Sequence, residues 1–175
     1  MALSFVGPAQ GASASATVTV TIRIPVLQQL SITSNEGGVS AKEEGNNSIR
    51  TEIDISNLDS PSDLSIPEAI DVEVLSNVDW HLMAEFEGSY VNFANDDPSP
   101  SVDPRIELSV NPSSPADFSY SDLTLAEGDQ QELAQGPPTN EAAFSVDYEL
   151  KLESVEDLSN LSGVGGDVVY TLMEL

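Results

Sequence analysis

The strongest constraint on the fold is a run of alternating residues with a period of two. Val18, Val20, Ile22 and Ile24 alternate with Thr17, Thr19, Thr21 and Arg23. Successive side chains of an extended strand point to opposite faces, so this run has one apolar and one polar face. Its β-branched residues favour a pleated strand over a helix. The same alternation returns at Ile49–Ile55, Ile70–Val74, Trp80–Phe86, Ile106–Val110 and Phe144–Leu152. Val26–Ile32, Tyr90–Phe93 and Phe118–Leu125 read as shorter extended pieces, and Val168–Leu175 as a closing strand apolar on both faces.

Between these runs lie Gly, Pro, Asn and Asp, which favour turns. Ser34–Asn47 reads as a long hairpin loop, and residues 57–68 and 94–104 as proline-rich loops. Residues 126–140 offer one helical turn at Gln130–Ala134, ended by Gly136-Pro137-Pro138, and Val155–Gly166 reads as a glycine-rich loop. About eight to ten short strands with no amphipathic helix predict an all-β, antiparallel β-sandwich. Two inward-facing sheet surfaces then supply the core, with Trp80, Leu82, Phe86, Phe144, Val146, Tyr148 and Leu150 inside and His81 turned to solvent. No internal repeat of solenoid length is present. The domain is expected to span residues 17–175, after a flexible leader or signal-peptide remnant at 1–16.

Charge narrows the function. Thirty Asp and Glu stand against five Lys and Arg, for a net charge of -25. Nucleic-acid binding needs clustered cations to neutralise phosphates, so nucleic acid is excluded as a partner. Attraction to an anionic membrane surface fails for the same reason, and no apolar run is long enough for a spanning helix. The chain has no Cys, which removes disulfides, thiolate nucleophiles and Cys-held metals. The acidic coat keeps such a chain soluble and suits a saline environment.

Catalytic patterns are missing. His81 is the one imidazole, and it lies on the polar phase of an alternating strand. There is no Gly-x-Ser-x-Gly elbow and no His-Glu-x-x-His helix. Gly163-Val164-Gly165-Gly166 lacks the cation and the helix of a phosphate loop. Carboxylate pairs are too numerous to be diagnostic. The expectation is a protein that is not an enzyme and has no resident cofactor.

Calcium is the one ion this composition suits, because it takes hard oxygen ligands from loops. Asp96, Asp97 and Asp103, with Asn95, form the densest candidate loop; Asp54, Asn57, Asp59 and Asp63 form a second. Neither follows the EF-hand pattern. A proline-stiffened acidic loop without an ion accounts for the same residues.

The N-terminus speaks to compartment. Ala12-Ser13-Ala14 and Ala14-Ser15-Ala16 fit the small-x-small pattern of a signal-peptidase site. The small-residue leader, the strand Ala16–Ile24, the following Pro25-Val26-Leu27 and the ending Val168-Val169-Tyr170-Thr171-Leu172 together resemble exported bacterial β-sandwich proteins of the cell surface. The closing strand is similar to that of fimbrial-type subunits. This resemblance implies an Ig-like or fimbrial-like arrangement, an extracellular, cell-surface or periplasmic location, a structural or adhesive role and no catalytic residue. Val18, Val20, Ile22 and Ile24 then become a candidate donor or edge strand, whose partner is the chain itself through strand exchange. Other surface proteins and glycans are further candidate partners. A carbohydrate-binding or calcium-dependent binding module is the alternative. Such a module exposes a row of aromatics on a sheet face, whereas a structural subunit exposes a strand edge or an extended terminus.

The charge excess yields a direct expectation. At about 1 M salt the screening length falls to roughly 3 Å, which removes most self-repulsion. Thermal melts should therefore shift upward between low salt and about 1 M NaCl. A flat or falling melting temperature would dismiss repulsion as a significant cost.

Overall fold

The computed structural model describes residues 23–35, 37–45, 47–56, 64–93, 102–114, 117–152 and 161–175. Its strands are β1 (Gln28–Ser34), β2 (Val39–Gly45), β3 (Ser48–Ser56), β4 (Ser65–Ser76), β5 (Trp80–Phe93), β6 (Pro104–Pro112), β7 (Ser119–Tyr120), β8 (Leu123–Ala126), β9 (Gln130–Gly136), β10 (Thr139–Leu152) and β11 (Leu161–Glu174). They form two antiparallel sheets, ordered β1-β4-β10-β6-β8 and β2-β3-β11-β5-β9-β7. The sheets pack face to face as the expected all-β sandwich and do not close into a barrel. No helix among the described residues is long and apolar enough to cross a membrane.

The alternating runs decide the core. Val72, Val74, Phe144, Val146, Ile106 and Leu108 point inward from one sheet; Ile53, Leu82, Phe86, Val168 and Leu172 meet them from the other. All seven expected core residues are buried, and Trp80 is fully so. Its indole N–H donates to the Pro137 carbonyl at 2.9 Å, which satisfies the one polar atom of that ring. His81 lies on the outer face, as its phase requires, but it is mostly covered there, its side chain only 20% exposed. Its Nδ1 is 3.2 Å from Glu132 on the neighbouring strand β9.

One polar chain crosses this apolar interior. Thr51 Oγ1 is 3.2 Å from the Val168 carbonyl and 2.9 Å from the Tyr148 hydroxyl, which is 2.8 Å from the Tyr170 hydroxyl. A carbonyl only accepts, so the single Thr51 proton goes to Val168. Tyr148 therefore donates to Thr51, and Tyr170 donates to Tyr148. Burial pushes both tyrosine hydroxyls well above their ordinary pKa, so both stay protonated and able to donate. Tyr148 belongs to β10 and the other residues to β3 and β11, so the relay binds one sheet to the other.

Several segments depart from the sequence reading, each for a local reason. The expected hairpin loop at Ser34–Asn47 contains β2. Only Val39 of this strand is buried, so its pattern carries no apolar alternation to detect. The expected helical turn at Gln130–Ala134 is strand β9. A register shift against β5 places both Leu133 and Ala134 in the core, and this bulge breaks the period of two.

The expected loop at Val155–Gly166 gives way to β11 from Leu161 onward. Two of its three glycines are required by packing: a Cβ on Gly165 would come within 2.0 Å of the Ile53 carbonyl and 2.8 Å of the Tyr90 ring, and one on Gly166 within 2.7 Å of the Phe86 ring. Trp80–Phe93 is one strand, continued through Gly88 at φ +61°. Phe118–Leu125 is divided instead, with β7 in one sheet and β8 in the other.

The donor order in the buried relay sets unequal mutational costs. Tyr148→Phe strands the Tyr170 proton in an apolar core and should cost about 1–3 kcal/mol. Tyr170→Phe removes only the terminal donor and should cost about 0.5–1.5 kcal/mol. Urea denaturation of the two variants measures both. If Tyr170→Phe proves the more damaging, the order of donation runs the other way.

Candidate functional site

An open sheet edge displays unpaired backbone N–H and C=O groups, and stable proteins blunt such edges with charge, brevity or cover. Among the described residues the two sheets have four edges: β1, β8, β2 and β7. β7 has two residues and β8 has four. Just before β8, the Asp122 carboxylate accepts the Val110 N–H of β6 at 3.0 Å. β2 carries Lys42, Glu43 and Glu44. β1 reads Gln-Gln-Leu-Ser-Ile-Thr-Ser and carries no charge at all.

The register shows which groups of β1 are open. It pairs with β4 without a shift. The Asn77 N–H donates to the Leu27 carbonyl, and the Asn35 N–H donates to the Ala69 carbonyl, both at 3.0 Å. Odd-numbered residues of this strand therefore face β4. In an antiparallel ladder the alternate residues face the other way, so Gln28, Leu30, Ile32 and Ser34 turn their N–H and C=O groups to the open side. Among the described residues no strand pairs with them.

The neighbouring sheet leaves a gap at the same place. On β2, Val39, Ala41 and Glu43 lie opposite Ile53, Thr51 and Ile49 of β3. Side chains directly opposite share a face, so all three β2 residues are on the inner phase. Ile53, Thr51, Ile49 and Val39 are buried, yet Ala41 and Glu43 are exposed. Six strands stand against five, and the five-stranded sheet stops at β1 without covering β2. A notch of about 370 Å³ opens there, lined by Val26, Gln28, Leu30, Glu43, Asn47 and Ile49. Gln28 Nε2 is buried in this region without a hydrogen-bond partner among the described residues.

The chain approaches β1 along a fixed track. Asn77 holds it three times: its N–H to Leu27 O, its Oδ1 from Leu27 N at 2.8 Å and its Nδ2 to Pro25 O at 2.8 Å. Pro25–Leu27 thus runs on in line with β1 beyond the end of β4. Ile24, Val26 and Leu27 are 75%, 52% and 55% exposed.

Ile24 of the predicted edge strand is therefore solvent-facing and lies outside any strand. Val18, Val20 and Ile22 lie outside the described residues. Asp103 is exposed just before β6, while Asp96 and Asp97, with Asn95, Asn57, Asp59 and Asp63, lie outside the described residues. Asp54 sits on the outer face of β3 and accepts the Tyr90 hydroxyl at 2.6 Å. Burial and that bond push the Tyr90 hydroxyl up to about 12. Among the described residues no three His, Asp or Glu side chains are grouped to hold a metal.

Sequence reasoning missed the role of Arg50. On the outer face of β3 its guanidinium reaches Glu44 of β2 at 2.5 Å, Glu87 of β5 at 2.5 Å and Asp167 of β11 at 2.7 Å. These bonds raise the Arg50 pKa further, and they hold the Glu44 carboxyl below its ordinary value. One cation thus ties four strands, including the overhanging β2. The only signal in the sequence was an arginine on the polar phase of an alternating run.

No family model matches the chain, and no curated protein matches it. Among solved structures it is similar to a family two carbohydrate esterase from Cellvibrio japonicus, at 8% identity and a TM-score of 0.28. The match covers 83% of this chain and 34% of that one, so this chain spans about a third of the other protein's length. A likeness of that size carries no argument about function.

Arg50→Gln should lower the melting temperature, and more at low salt than at about 1 M NaCl, because it leaves Glu44, Glu87 and Asp167 without their shared cation. Thermal melts at both salt concentrations measure this. Equal losses at the two would mean that Arg50 acts through packing of its stem and not through charge.

Proposed function

We propose that the chain is a non-enzymatic structural or adhesive module of an exported surface protein, and that it associates by strand addition at the open edge of β1. The observation that carries this reading is the uncharged β1 edge beside the uncovered inner face of β2. The edges β7 and β8 are uncharged too but have only two and four residues; in a chain of net charge -25, the seven-residue β1 offers another strand the longest backbone to approach without repulsion. Backbone bonds would supply affinity there, and the notch would take alternate side chains. The donor is the 16–24 segment, whose Val18, Val20, Ile22 and Ile24 would face the notch while the threonines face solvent. Among the described residues the exposed large hydrophobics include a single aromatic, Tyr120, which favours an edge-binding module over a glycan-binding aromatic platform. The Ala/Ser-rich leader supports export.

The test is binding of a labelled 16–24 peptide to protein lacking residues 1–24. Saturable binding with a rise in melting temperature is expected, and a peptide with Val20→Asp should not bind. Absence of binding by the unmodified peptide, to truncated protein shown by circular dichroism to be folded, would refute strand addition.

A further inference from the structure

We infer that two copies of the chain close into a two-fold dimer in which residues 17–34 form one continuous strand, each copy laying residues 17–22 antiparallel along the other's β1. The inference rests on the strand-addition reading and adds the identity of the occupant, its direction and the stoichiometry.

The phase of the sequence is the first support. Val18, Val20, Ile22, Ile24, Val26, Leu30 and Ile32 all occupy even positions; Gln28 interrupts the series, and Leu27, 55% exposed, falls on the other phase. Leu30 and Ile32 are the inward residues of β1, so a straight strand keeps these seven residues on one face.

The chain is poorly suited to folding back on its own edge. A two-residue turn at Arg23-Ile24 would set Ile22 opposite Pro25, Val20 opposite Leu27 and Val18 opposite Gln29. Residues directly opposite share a face, so this return would turn the valines outward. Such turns also need positive φ, supplied by Gly, Asn or Asp and not by Arg or Ile. A three-residue turn over Arg23-Ile24-Pro25 restores the phase but asks Pro25 for a left-handed φ that its ring forbids. The Asn77 clamp meanwhile holds Pro25 in line with β1.

Pro25 suits a straight passage. Odd residues face β4 and Asn77, so the missing N–H of Pro25 falls on the side away from an incoming strand. The even residues, which face the open side, keep all their donors.

Direction follows from the same geometry. β1 runs into the sandwich from the end marked by Asn77, and the preceding residues leave from that end. Extended in line, they enter a second copy from its corresponding end and run antiparallel to its β1. A two-fold axis returns the same contact, so one interface satisfies both edges and closes. Exposed Ile24 and Val26 then lie near the axis and cover their counterparts. Between Met1 and Asn35 the only charged residue is Arg23, so this ribbon joins the two least charged parts of two strongly acidic molecules.

Light scattering on the eluting full-length protein, at about 0.15 M and about 1 M NaCl, gives the answer. The expected mass is twice 18.6 kDa and does not change with concentration. Val20→Asp, which sets a charge against the notch, should give a folded monomer by circular dichroism; deletion of residues 1–22 is the second variant and should do the same. A mass that climbs past the dimer with concentration overturns two-fold closure and leaves strand addition standing as an open chain. A monomer destabilised by Val20→Asp overturns pairing between copies and returns the strand to its own edge. A monomer indifferent to Val20→Asp overturns both this inference and the strand-addition reading. A dimer that survives Val20→Asp overturns this interface.

Discussion

The hydroxyl relay from Tyr170 through Tyr148 and Thr51 to the Val168 carbonyl fixes how one sheet lies on the other. Apolar contact drives the two faces together, but it has no direction and tolerates sliding. Hydrogen bonds in a low-dielectric interior are directional and costly to break. Each hydroxyl in the relay donates once, so any shift of β10 across β11 or β3 leaves a buried proton unpaired. The burial that raises the pKa of both tyrosines also keeps them neutral, and only a neutral hydroxyl can pass the relay on.

Around that fixed centre the sheets adapt through small irregularities. Gly165 and Gly166 admit the rings of Tyr90 and Phe86 against the backbone of β11, while Gly88 at positive φ lets β5 continue past its bulge. The bulge in β9 brings Leu133 and Ala134 together under the core. On the outer face Arg50 stretches a scarce resource, one of five cations among thirty acids: its single charge is shared by three carboxylates on three strands. Where cations are this scarce, each placement matters more, because the surrounding carboxylates have few alternatives to water.

The unequal strand count joins architecture to the proposed role. Sheets of six and five strands cannot cover one another fully, and the uncovered part falls beside β1, the longest of the edge strands that carry no charge. The Asn77 clamp sits at the end of that edge and sets the track of the incoming chain. An edge, a gap and a guided strand therefore coincide at one corner of the sandwich, and no comparable coincidence occurs at β2, β7 or β8 among the described residues.

Strand identity, inward phase and fold class were legible in the sequence wherever one face of a strand is buried. Ile49–Ile55, Ile70–Val74, Phe144–Leu152 and the burial of Trp80 follow from alternation alone, since burial on one side imprints a period of two. The acidic excess and the absence of charge before Arg23 were equally plain. β2 left no imprint because its inner face is uncovered beyond Val39, and β9 blurred its own because a bulge puts two consecutive residues inside. The glycines of β11 looked like a loop because the rings that need their space, Tyr90 and Phe86, come from a distant strand. The clustering of Arg50 with Glu44, Glu87 and Asp167, the hydroxyl relay and the gap beside β1 all join residues far apart in the chain. Local pattern records what each strand buries; which strands become neighbours is settled only when two whole sheets compete to cover each other, and that competition left the outer side of β1 without a partner strand among the described residues.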